Sequence, residues 1–193
     1  MKYFILATLF LTVISCSEST ETYQDPITYL ADFPQGSGSY WVYAYYDSLT
    51  STADTVTVSI ENHTAENTKL WKYTYTDHTD SLYVKTSGDT LKMSQDSAVE
   101  FPRTVIIFPL EKGKSWMHYI YTDSVSAVQD INVLGESKDA FILNENWGAF
   151  NDYGQIKRWI VPNLGIVKIR HTGWSFGTAN NTWDLLDYHI QEN

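Results

Sequence analysis

The residues of this chain whose chemistry reaches beyond packing are five histidines, 23 acidic side chains and a single cysteine. His63, His78, His118, His171 and His189 are scattered, and none forms the close pair typical of helical or hairpin zinc sites. Asp77-His78-Thr79-Asp80 could put three ligands in one turn, but a solvated hairpin turn accounts for it better, and no metal or cofactor is expected. Glu100, Glu111, Glu136, Glu145 and Asp152 are acids that could meet in space as the carboxylate pair of a glycan-active hydrolase, Glu145 and Asp152 for example. No spacing brings them together, so no catalytic residue is assigned. Gly113-Lys114-Ser115 echoes the end of a phosphate-binding loop. The glycine needed five positions earlier is Phe108, and the residues that follow read as a strand, so the motif is rejected.

Cys16, the lone cysteine, has no disulfide partner and no metal set. It follows Lys2 and the apolar stretch Tyr3–Thr12, the charged start and hydrophobic middle of a secretory leader too short to span a membrane. The run Val13-Ile14-Ser15-Cys16 resembles the lipobox of bacterial lipoproteins, with a branched aliphatic residue three before the cysteine and a small one immediately before it. That resemblance implies that residues 1–15 are removed, that the thiol of Cys16 receives a diacylglyceryl group, and that the acylated N-terminus holds the protein on a membrane. Two or more acyl chains anchor stably where one is marginal, at about 0.8 kcal/mol per buried methylene. The alternative is a soluble exported domain in which Cys16 is an ordinary residue at the cleavage site. Residues 16–26 then form a polar tether containing Ser17-Glu18-Ser19-Thr20-Glu21-Thr22. The serine and acids after Cys16 resemble the surface-export signal of Bacteroidetes-type lipoproteins; a plain linker facing the periplasm reads the same. Both place the protein on the outer membrane.

Loss of the leader leaves about 178 residues, enough for one domain, and takes the formal charge from −10 to −11. Nucleic acid and anionic headgroups are poor partners for so acidic a surface. Residues 27–193 form this domain, and an internal repeat divides it at about 27–101 and 102–193. Phe33-Pro34, Gly38 and Trp41 have the spacing of Phe108-Pro109, Gly113 and Trp116, and at the same offset Val56 and Val58 correspond to Ile131 and Val133. Gly88-Asp89-Thr90-Leu91-Lys92-Met93 resembles Leu164-Gly165-Ile166-Val167-Lys168-Ile169. Alternating β-branched and aromatic residues between turn signals predict strands near 40–47, 55–61, 69–76, 82–86, 90–94, 104–108, 115–122, 128–134, 139–144, 157–161, 165–171 and 184–190. One short helical turn is expected at Asp25-Pro26-Ile27-Thr28-Tyr29-Leu30, with Asp25 as its cap. The class is all-β, an antiparallel sandwich or barrel built from two related meander halves.

The repeated corner has a structural role: proline ends a strand, glycine permits the turn, and tryptophan anchors the next strand. Phe108-Pro109-Leu110-Glu111-Lys112-Gly113-Lys114-Ser115-Trp116 and Pro162-Asn163-Leu164-Gly165-Ile166-Val167-Lys168 resemble motifs of uncharacterised secreted lipoproteins of Bacteroidetes, the second lacking its first glycine. The resemblance spans most of the mature chain and brings no catalytic residues with it.

Two further patterns bear on function. Asp followed by Ser or Thr and a small apolar residue occurs around Ser48, Thr55, Ser81, Thr90, Ser97 and Ser124, against about one occurrence expected from composition. It resembles the Bacteroidetes O-glycosylation motif and equally describes an Asx turn entering a strand. Asn62-His63-Thr64 and Asn180-Asn181-Thr182 match the N-linked sequon incidentally. Seven Trp and 14 Tyr exceed what a core of this size needs. Trp174, Phe176 and Trp183 lie in a glycine- and asparagine-rich stretch, the candidate contact site for a glycan or protein; plugging rings at one end of a barrel are the alternative. The sequence thus favours a non-catalytic, lipid-anchored binding module for glycan, lipid or protein. A structural accessory subunit of an envelope assembly comes next, and a glycan-active hydrolase last.

Overall fold

The computed structural model describes residues 26–149, 152–173 and 180–192. Cys16, Trp174 and Phe176 lie outside them. The described chain forms β1 (Tyr40–Asp47), β2 (Thr52–Asn62), β3 (Thr68–Thr74), β4 (Thr79–Ser87), β5 (Thr90–Ser94), β6 (Thr104–Ile107), β7 (Ser115–His118), β8 (Tyr121–Val133), β9 (Glu136–Ala149), β10 (Asp152–Val161), β11 (Gly165–Gly173) and β12 (Asn181–His189). All pair antiparallel in one sheet, ordered β6-β5-β4-β3-β2-β1-β12-β11-β10-β9-β8-β7 and curled into a nearly closed barrel. The all-β expectation of two meanders holds, and barrel rather than sandwich is the form. The meanders divide between β6 and β7, so residues 104–107 complete the first, one strand later than the division expected at 101/102.

Alternation explains the barrel wall. Trp41 and Tyr43 on β1 are buried, as are Val56, Val58 and Ile60 on β2, while the residues between them are more open. Register shifts at Val42/Tyr43, Val125/Ala127 and Trp159/Ile160 bend the sheet and reset which side chains point inward. The expected break between 122 and 128 is only such a shift inside β8. The expected strand 115–122 is instead cut at Tyr119-Ile120, where Tyr119 takes φ 54°.

The repeated corners have matching geometry. Gly38 (φ 97°) donates its N–H to Ile60 and Gly113 (φ 90°) to Val125, at 2.9 and 2.8 Å, and a side chain would strain either backbone. The register then places Val58 opposite Trp41 and Asp123 opposite Trp116. Correspondence at a constant offset therefore stops at the corner, because the β7–β8 hairpin is shorter than β1–β2.

One end of the barrel is plugged by the N-terminal segment. Thr28 pairs with Leu110, a 3-10 turn spans Leu30–Asp32, and Phe33 inserts at 2% exposure. The turn sits later than expected because Asp32 itself receives the Tyr29 N–H at 2.8 Å. Phe33 stacks on Trp71 at 6.1 Å, Trp41 on Trp71 at 5.5 Å, and the Trp41 indole N–H donates to Leu164 at 2.7 Å. At the other end lie the C-terminal ends of β1, β3, β5, β7, β9 and β11. This end is the mouth.

The seam between edge strands β6 and β7 is bridged by side chains. Trp116 Nε1 donates to the Val105 carbonyl at 3.0 Å and His118 Nε2 to that of Arg103 at 3.1 Å. Both satisfy edge carbonyls that a neighbouring strand would otherwise occupy.

Candidate functional site

Four strands deliver polar side chains into the mouth. On β9, Phe141, Leu143, Glu145 and Trp147 share one face of the strand, so the two-residue period that puts Phe141 and Leu143 in the core carries Glu145 inward to 2% exposure, while Ala140, Ile142 and Asn144 on the opposite face are buried as well. The β8 register sets Asp123, fully buried, directly opposite Glu145. Arg158 on β10 reaches Glu145 Oε2 at 3.2 Å through Nη1 and Thr104 Oγ1 at 3.0 Å through Nη2. His118 at the end of β7 meets Asp123 Oδ2 through Nδ1 at 2.7 Å.

The protonation of this cluster follows from its bonds. His118 Nε2 faces a carbonyl, which only accepts, so it carries a proton. Nδ1 and Asp123 then share one more. Burial pushes the Asp123 carboxyl up from 3.8 to about 6, and nearby Glu145 adds to the rise while His118 and Arg158 oppose it. Each buried carboxylate thus has a basic partner, as buried charge requires.

Above this floor is a cavity of about 360 Å³ bounded by Tyr121, Glu145, Trp147, Ile156, Arg158 and His171. The rings are in contact: His118 stacks on Tyr121 at 4.9 Å, Tyr121 meets Trp147 at 6.1 Å, and Trp147 meets His171 at 5.3 Å. Gly154, opposite Trp147 in register, is what lets the indole lie there, since a Cβ would fall 2.1 Å from its Cζ2. Burial, then Arg158, lowers the pKa of His171 and favours the neutral imidazole. Its Nε2 is buried and has no hydrogen-bond partner. Sharing Leu82 with this cavity is a hollow of about 180 Å³ lined by Tyr73, Tyr75 and Trp183. Burial drives the Tyr73 hydroxyl up to about 12 and that of Tyr75 higher still, so both stay protonated.

The residues named from sequence fall differently. Trp183 lies on β12 rather than in a loop and is 8% exposed, wedged edge-on against Tyr43, Tyr45, Tyr73 and Tyr75. It is a core ring with one edge on the mouth, which corrects the expectation of an exposed contact. Its place on the inward side of an alternating strand is the cause. Glu145 and Asp152 are not register partners: Asp152 lies opposite Ala149, and Ile156 opposite Glu145. Glu100 and Glu111 are exposed, and Glu136 pairs with Lys138 at 2.6 Å. His78 stacks on Tyr75 at 4.2 Å in an exposed hairpin, and among the described residues no cluster could hold a metal ion.

Of the Asp-Ser/Thr positions, Ser48 and Ser97 are exposed in turns closed by Asp47 and Asp96, whose carboxylates accept the Leu49 and Ala98 N–H at 2.8 and 3.2 Å. Thr55 is exposed on β2, and Ser81 and Thr90 are half-buried on strands. Ser124 is half-buried inside β8, and its Asp123 is sealed in the cluster rather than closing a turn. Asp123 was missed as a site residue, although Tyr121, Asp123 and Val125 share one face of a strand. That period was the available signal.

No protein-family model matches the chain, and no curated protein matches it. Among solved structures, a candidate lipoprotein from Parabacteroides distasonis aligns at 12% identity and TM-score 0.49, covering 84% of this chain and 99% of that one. A candidate exported protein from Bacteroides fragilis, described as having a YmcC-like fold, aligns at 12% identity and TM-score 0.48, covering 81% and 98%.

Proposed function

We propose that this protein is a lipid-anchored lipoprotein of the outer membrane that binds a glycan at the mouth of its barrel without transforming it. The observation that carries the reading is the cavity at the mouth, ringed by Tyr121, Trp147 and His171 and floored by Glu145 and Arg158, at the end opposite the N-terminal plug. Aromatic rings offer flat apolar faces to sugar rings, and the polar floor offers partners to hydroxyls. Acylated at Cys16, the chain enters the domain at the plugged end through the nine residues from Ser17 to Asp25, which reach at most about 30 Å. The anchor is thus tied to the plugged end, and the mouth is the end of the domain farther along the chain from it. The acidic surface disfavours nucleic acid as a partner.

The test is binding of the lipidated protein to an array of bacterial surface glycans, with Trp147→Ala in parallel. Specific binding that weakens in the variant is expected. A protein that binds no glycan, or binds one with unchanged affinity after Trp147→Ala, removes the reading. Protease shaving of intact cells, with Cys16→Ala as the control for anchoring, assigns the membrane face.

A further inference from the structure

The buried charges beneath the mouth cavity are matched in pairs, Arg158 with Glu145 and His118 with Asp123, while Arg103 on the rim is exposed and has no ion pair among the described residues; this narrows the ligand beyond the glycan reading, on which the narrower statement rests. We infer that the cavity takes the uncharged end of a sugar chain, with one pyranose ring laid against Trp147 and its hydroxyls held by His171, Glu145 and Arg158.

Charge supplies the first argument. Arg158 is bonded to Glu145 and Thr104, and His118 to Asp123. Arg103 stands on the rim and Asp80 borders the adjoining hollow. An anionic ligand is drawn by Arg103 at the rim but at the floor meets Glu145, with Asp123 behind it; a cationic one meets Arg103 and Arg158. A neutral polar ligand leaves both internal pairs intact and adds no uncompensated buried charge.

Hydrogen bonding supplies the second. The orphaned Nε2 of His171 is a donor or an acceptor according to tautomer, and a hydroxyl, being both, satisfies either. Arg158 has donors beyond the two engaged, and Glu145 bonds Arg158 through one oxygen only. Vicinal hydroxyls suit such a side-by-side donor and acceptor. An acyl chain in the same place would return no hydrogen bond to Arg158, Glu145 or His171. Size agrees: about 360 Å³ is near the lower end of the roughly 300–1,000 Å³ typical of ligand clefts, which suits a chain terminus rather than a long segment.

The experiment titrates the lipidated protein in detergent micelles with neutral oligosaccharides, with oligosaccharides of equal length ending in a uronic acid, and with a fatty acid. Neutral sugars are expected to bind best, and Trp147→Ala and His171→Leu are each expected to weaken them about tenfold or more. His171→Leu also removes an unsatisfied buried nitrogen, so its melting temperature stays level or rises and the lost affinity cannot be assigned to unfolding. A preference for the uronate-ended sugars, or neutral binding that ignores His171→Leu, overturns the inference while the glycan reading stands. Binding of the fatty acid alone, or of nothing, overturns both.

Discussion

At the plugged end Trp41 is 1% exposed and its indole N–H is held by the Leu164 carbonyl; at the mouth Trp147 is half-buried and the His171 beside it keeps an unpartnered nitrogen. Both ends are rich in large rings, but their rings meet different neighbours. Phe33, Trp41, Trp71 and Phe108 press on one another and on aliphatic residues, with only Trp71 Nε1 left without a partner. At the mouth the rings border carboxylates, a guanidinium and open space. Ring content alone therefore does not mark a site. What marks it is rings beside polar groups that the fold itself does not fully use.

The largest effect is expected where the comparison is about packing. Trp41→Ala empties the plugged core and should cost about 4 kcal/mol in denaturant unfolding, while the variant that remains folded keeps its ligand affinity. A loss of affinity in folded protein would show that the two ends are coupled. Next, Arg158→Met strands Glu145 at 2% exposure and should cost about 3 kcal/mol, whereas Glu145→Leu with Arg158→Met should return to within about 1 kcal/mol of wild type. A double variant as unstable as the single one would mean that the pair holds the mouth together rather than serving a ligand.

Asp123→Asn tests the pH side of the same contrast. The folded carboxyl titrates at about 6, above its ordinary 3.8, so the folded state holds the proton more tightly. Its contribution to stability is complete below about pH 4 and is lost as pH rises through 6. Asparagine cannot ionise, so the variant should gain about 1–2 kcal/mol on wild type at pH 8 and show a flatter profile between pH 4 and 7, measured by chemical denaturation. Smallest in stability is modification: sugar is expected on Ser48 and Ser97 and none on Ser124. Mass spectrometry of Ser48→Ala and Ser97→Ala protein from the native host checks it, since only exposed turn hydroxyls are open to a transferase.

Much of the wall was legible because burial on one face imposes a period of two. Residues 40–47 and 90–94 read as strands by that rule and the observed strands coincide with those bounds, although Ser94 is buried beside Met93. Elsewhere local chemistry misled. Tyr119-Ile120 turns the chain without glycine, asparagine or proline, so β7 and the start of β8 read as one strand. Trp183 belongs to β12, although the composition around it reads as a loop. The site was less legible still. Glu145 meets Asp123 through the β8–β9 register and Arg158 through the neighbouring β10, and cross-strand partners are fixed by turns and bulges rather than by spacing along the chain. His171 and Trp147 gave no sign of belonging together, because their strands are separated in the sheet by β10.

Hydrogen exchange of the lipidated protein with and without a saturating neutral oligosaccharide tests most directly whether the mouth is the functional end. Slowed exchange is predicted in peptides covering residues 118–123, 145–147, 156–158 and 169–173, with the plugged end unchanged. Protection confined to the plugged end, or to the outer wall around Trp159, would contradict the account.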